Sequence, residues 1–133
     1  MITRVRHIGI AVSDLDEAIK LYRNVLGLEL EDNREIKEMK MRVALFSTGG
    51  ETQIELIQPT DNETALAKFI EKRGEGIHHI ALEVDDIESA LDIVRKKGLF
   101  LVDEKPRIGV HGKKIAFIHP KSTRGVLLEF VMK

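Results

Sequence analysis

The chain has 133 residues, with 21 Lys and Arg against 22 Asp and Glu for a formal charge of -1, and no cysteine. That length suits one domain whose core needs no metal or disulfide staple. The balanced, interspersed charge excludes nucleic-acid binding through a broad basic patch, and the missing cysteines exclude disulfides, thiol nucleophiles and iron–sulfur sites. No apolar run approaches the ~20 residues of a membrane helix, and a strand-like segment begins almost at Met1 with no signal-peptide pattern before it, so a cytoplasmic protein with no membrane partner is expected.

In chain order, "VRHIGIAV" from Val5 predicts a strand. A helix follows, capped by Ser13 or Asp14 with Asp16 or Glu17 completing a capping box, and striped by Leu15, Ala18, Ile19 and Tyr22 before Gly27 stops it. Strands are predicted over 27–31, 42–47 and 52–58, and a linking helix over 62–73, ended by "RGEG". "GIHHIALEV" predicts the next strand. A second helix is capped by Asp85 with Glu88, striped by Ile87, Ala90, Leu91 and Val94, and closed by Gly98. Strands over 100–103, 114–119 and 126–131 complete the chain.

The two halves repeat. "VRHIGIAVSDLDEAIKLY" lies over "IHHIALEVDDIESALDIV" 72 residues later, which matches His7 with His79; "TQIELI" lies over "VLLEFV" at an offset of 74, which matches Glu55 with Glu129. The expected fold is therefore α+β: duplicated β-α-β-β-β modules, over about 1–60 and 75–133, forming a single domain with a shared metal-binding cleft. His78 and His79 point to opposite faces of one strand, so only one of them can enter the site. His78 matches Arg6 and is read as structural or as a support behind the ligands; His79 has the symmetry-related partner. A lone strand histidine is usually a satisfied core residue, and either Glu could face solvent by alternation, although Leu127 and Val131 share the apparent face of Glu129. The repeat of all four positions favours metal ligation by His7, Glu55, His79 and Glu129. Two imidazoles and two carboxylates balance a divalent ion of the Zn, Ni, Co or Mn type and leave room for water or substrate.

The duplicated modules, the quartet and "YRNVLGL" resemble the vicinal oxygen chelate superfamily. "GEGIHHIALEVDDI" and "IGVHGKKIAFIHPKSTRGVLLEF" resemble the methylmalonyl-CoA epimerase family within it. The resemblance covers essentially the whole chain. It implies interconversion of the two epimers of methylmalonyl-CoA through α-proton abstraction and return, with His7, Glu55, His79 and Glu129 as ligands, Glu129 as proton carrier, and a divalent ion, Co2+ foremost and Zn2+, Ni2+ or Mn2+ as alternatives. It also implies an acyl-CoA substrate and a homodimer. The strand around Val43 carries no carboxylate where some bacterial members have one, so the second acid/base is open among a metal-bound water, the 35–38 stretch and Glu55.

His111, Lys121 and Ser122 are candidate substrate contacts, each matched by a plain reading as loop or turn residues. Lys113, Lys114 and Arg124 are either a local anion-attracting charge or a solvated rim. Two other functions are weighed: a glyoxalase I-like lactoylglutathione lyase, disfavoured because "HPKSTRGVLLEF" stands where that enzyme usually has a "DPDG"-like run, and a non-catalytic small-molecule binding protein of the same fold, disfavoured by the complete quartet. A ring-opening dioxygenase, which generally uses two His and one Glu around iron in a longer chain, ranks lower.

Overall fold

The computed structural model describes all 133 residues. They divide into two compact units, His7–His78 and Met1–Arg6 with His79–Lys133, so that the first and fifth strands each contribute to both. The backbone repeats strand, helix and three strands, the duplicated β-α-β-β-β arrangement of a mixed-sheet α+β fold.

In the unit His7–His78, the end of β1 (Ile2–Ala11) leads into α1 (Leu15–Ile19), a π-helical segment (Lys20–Val25), β2 (Glu29–Ile36), β3 (Met41–Ser47), β4 (Gln53–Pro59) and α2 (Ala65–Arg73). The strands lie in the order β2-β3-β4-β1, with β1 parallel to β4 and the other pairs antiparallel. Period-two alternation sorts the side chains. Val12, Ala44, Phe46 and Leu56 pack with Leu15 of α1, while Ala11, Val43 and Ile57 face the other way and pack with Leu66 of α2. Asp14, and not Ser13, caps α1 by accepting from the Glu17 N–H; the Leu15 and Ser13 N–H groups donate to Gln58 and Glu75. Tyr22 belongs to the core, its ring 5.9 Å from that of Phe46. β2 runs further than 27–31 because its polar residues from Asp32 to Glu35 pair with β3 on a sheet edge, where charged side chains are tolerated and no apolar alternation announces a strand.

In the other unit, the remainder of β5 (Gly76–Val84) is followed by α3 (Ile87–Lys96), β6 (Arg107–Ile108), β7 (Lys114–Ile118) and β8 (Leu128–Met132). The order β5-β8-β7-β6 repeats that of the first unit, again with the opening and closing strands parallel. α3 lays Ile87, Ala90, Leu91 and Val94 on Val84, Ala116, Ile118 and Phe130. Two expectations are corrected here. The cap of α3 is Asp86, whose carboxylate accepts from the Ser89 N–H at 3.1 Å, and not Asp85. The strand expected over 100–103 is reduced to a single bridge between Leu101 and Ile118; the short β6 takes the edge position, and Phe100 and Val102 stay more than half exposed. Gly98 does close α3, at φ 87°, where a side chain would be strained.

Candidate metal centre

His79 leaves β5 on the face away from α3, together with Ala81, and Glu129 and Val131 of β8 share that face. Parallel pairing sets Ala81 opposite Glu129 and brings the His79 Nε2 to 3.2 Å from Glu129 Oε1. Phe117, the cross-strand partner of Glu129 on β7, meets the His79 imidazole edge-on at 5.7 Å. In the unit His7–His78 the same logic holds on β1 and β4. His7 and Glu55 lie on the face of Ala11 and Ile57, away from α1, with His7 Nε2 3.5 Å from Glu55 Oε1. All four residues are buried, none more than 6% exposed, which removes the solvent-facing reading of either glutamate.

Each unit thus holds one buried histidine–glutamate pair, His7 with Glu55 in one and His79 with Glu129 in the other. Two ligands each about 2.1 Å from a common ion sit roughly 3.0–3.4 Å apart, close to the spacing within each His–Glu pair. Two imidazole nitrogens and a buried carboxylate suit a divalent transition ion better than Mg2+ or Ca2+, which prefer all-oxygen shells. Within each unit the expected histidine and glutamate stand side by side, Glu55 against His7 and Glu129 against His79.

His78 points to the opposite face of β5 from His79 and stacks edge-on against Phe69 of α2 at 4.8 Å, the packing role expected of it. His111 sits in a tight turn closed by the Gly112 N–H to the Gly109 carbonyl. Ser122 accepts from the Phe100 N–H at 2.7 Å and the Lys121 ammonium covers the Phe100 ring at 5.0 Å, so both stabilise the loop before β8. Glu35 and Glu38 are exposed, and Val43 is fully buried among apolar side chains. Arg124 is exposed, Lys113 half-buried, and Lys114 is paired with Glu88.

Glu83 escaped the sequence reading. It is 3% exposed, accepts from Thr3 Oγ1 at 2.7 Å, and lies 3.0 and 3.2 Å from the Arg4 and Arg6 guanidinium groups. The Thr3 hydrogen bond first, then the arginines, hold its carboxyl below the ordinary value against the opposing effect of burial. Its counterpart 72 residues earlier is Ala11, so the repeat gives it no signal.

Residues 6–117 match the Glyoxalase/Bleomycin resistance protein/Dioxygenase superfamily. The ethylmalonyl-CoA/methylmalonyl-CoA epimerase of Cereibacter sphaeroides is 40% identical over 131 residues, 97% of each chain. The crystal structure of methylmalonyl-CoA epimerase from Mycobacterium tuberculosis superposes with a TM-score of 0.92 at 40% identity, over 98% of this chain and 88% of that one. A methylmalonyl-CoA epimerase in complex with methylmalonyl-CoA and NH4+ gives 0.92 at 37% identity, over 100% and 96%. With its repeated modules and buried histidine–glutamate donors, the chain belongs to the Glyoxalase/Bleomycin resistance protein/Dioxygenase superfamily, the vicinal oxygen chelate group, and within it closely matches the methylmalonyl-CoA epimerases.

Proposed function

We propose that this protein interconverts the (R) and (S) epimers of methylmalonyl-CoA by removing the proton from the carbon between the carboxylate and the thioester and returning one to the opposite face. The observation that carries this reading is the buried histidine–glutamate pair in each unit, His7 with Glu55 and His79 with Glu129, on a chain that matches epimerases of this substrate over nearly its full length. His7, His79 and Glu129, with Glu55 beside His7, would hold a divalent ion, Co2+ first and Zn2+, Ni2+ or Mn2+ as alternatives. When bound, such an ion supplies positive charge to the substrate oxygens on which negative charge develops.

The chain's own part is positional. Glu129, fixed between His79 and Phe117 on β8, is the proton carrier for one face of the substrate. The buried Ala81, Ile115 and Val131 around it exclude water from the carbon acid and strengthen local electrostatics. With this reading go a homodimer, in keeping with half-exposed or more exposed Leu21 and Val25 on the π-helical segment and Leu26 just after it, and a cytoplasmic location, in keeping with a chain that has no cysteine.

The test is solvent-deuterium exchange at the α-carbon of one methylmalonyl-CoA epimer, followed by proton NMR on Co2+-loaded protein. Exchange accompanied by inversion is expected, slowed at least about 100-fold in Glu129→Gln. Absence of exchange in the loaded wild type refutes the assignment.

A further inference from the structure

We propose that Arg107 recognises an anionic group of the acyl-CoA, an inference that rests on the function proposed above. Arg107 opens β6 and is paired opposite Ile115 of β7. Its guanidinium lies over the Phe117 ring, with Cζ 5.6 Å from the centroid. Its Nε donates to Asp103 Oδ1 at 2.9 Å, and Asp103 is itself fixed because its Oδ2 accepts from the Phe117 N–H at 2.8 Å. Gly109, just after β6, lies close against the Ile115 side chain, whose Cγ2 a Cβ there would meet at 2.9 Å.

These contacts occupy Nε and one flat face of the guanidinium. They leave the edge carrying the two Nη groups, on a side chain about half exposed, for a bidentate contact with a carboxylate or phosphate. The location supplies the functional link. The ring under Arg107 is the ring that meets His79 edge-on, and Phe117 is the cross-strand partner of Glu129, so a single aromatic side chain separates this cation from two donors of the metal centre. The substrate class offers two anions: the carboxylate next to the reacting carbon and the phosphates of coenzyme A.

Isothermal titration of Co2+-loaded wild type, Arg107→Gln and Arg107→Lys with methylmalonyl-CoA, propionyl-CoA and methylmalonyl-pantetheine tests this, alongside steady-state epimerisation. Arg107→Gln is expected to bind methylmalonyl-CoA about 10- to 100-fold more weakly, with Arg107→Lys between it and wild type because charge survives and the bidentate edge does not. KM should rise while kcat stays within about threefold, the split expected of uniform binding and not of a distorted site. A loss confined to the two carboxylated ligands assigns the acyl carboxylate; a loss confined to the two coenzyme A ligands assigns the phosphates. Equal affinities for all three ligands, or a fall in kcat at unchanged KM, would overturn the inference. Wild type that binds the acyl-CoA without epimerising it would refute the proposed reaction, and the binding comparison would still decide the role of Arg107.

Discussion

Glu83 shows how one buried carboxylate can govern the strand that carries His7. Thr3, Arg4 and Arg6 all reach it from β1, which ties the start of that strand to β5 just before the first histidine. Because these donors favour the charged form, the folded-state pKa lies below the ordinary 4.5, and the stabilisation is complete above that value and lost as pH falls through the lowered one. Glu83→Gln is expected to cost about 1–2 kcal/mol in urea unfolding at pH 7, since two half-buried cations lose their counter-charge, and the gap to wild type should narrow below pH 4.5. A gap that does not change with pH would remove the carboxylate from this role. Glu55 makes the contrasting case, because its value lies in an oxygen beside His7. A carboxamide oxygen preserves that, so Glu55→Gln should keep bound Co2+, visible in its ligand-field spectrum, and tolerate epimerisation far better than Glu129→Gln.

At the scale of elements, α1 and α3 both start from an aspartate whose carboxylate caps the third N–H beyond it, but they differ in support. α1 has Gln58 and Glu75 holding two further N–H groups, whereas Asp86 carries the start of α3 by the one side-chain cap bond. Asp86→Ala should therefore cost about 1 kcal/mol, or roughly 4 °C in Tm, and Asp14→Ala less, as thermal denaturation of the two variants would show. The helices themselves were readable from stripes such as Ile87, Ala90, Leu91 and Val94, because a core-facing helix must repeat its apolar residues every three or four positions. Edge strands obey no such rule. β2 pairs through Asp32, Asn33, Arg34 and Glu35 without any apolar signal, and Leu101 makes only a single bridge despite apolar neighbours on both sides, because pairing there depends on backbone geometry that composition does not encode.

For the whole molecule, the candidate centre was legible because duplication wrote it twice: each histidine and each glutamate had a partner at a near-constant offset, a pattern that core packing alone does not demand. Phe117 and Arg107 had no such partner, and their relation to His79 and Glu129 arises from cross-strand pairing and a loop contact. The same duplication bears on stability. Each unit buries its own apolar clusters, around Phe46 and Leu56 in one and around Phe130 and Ile118 in the other, so folding does not wait for an ion. The buried His7, His79 and Glu129 donors would nevertheless favour the folded state whenever an ion occupies them, by an amount set only by its free concentration relative to Kd. Protein stripped with a chelator should keep its far-ultraviolet circular dichroism and a cooperative melt. Adding Co2+ at 100 times Kd should then stabilise it by about 2.7 kcal/mol, or roughly 10 °C, and alanine at both His7 and His79 should abolish that gain. A stripped protein that loses its cooperative melt would instead make the metal part of the fold, and would assign the histidine–glutamate repeat to structure as well as to chemistry.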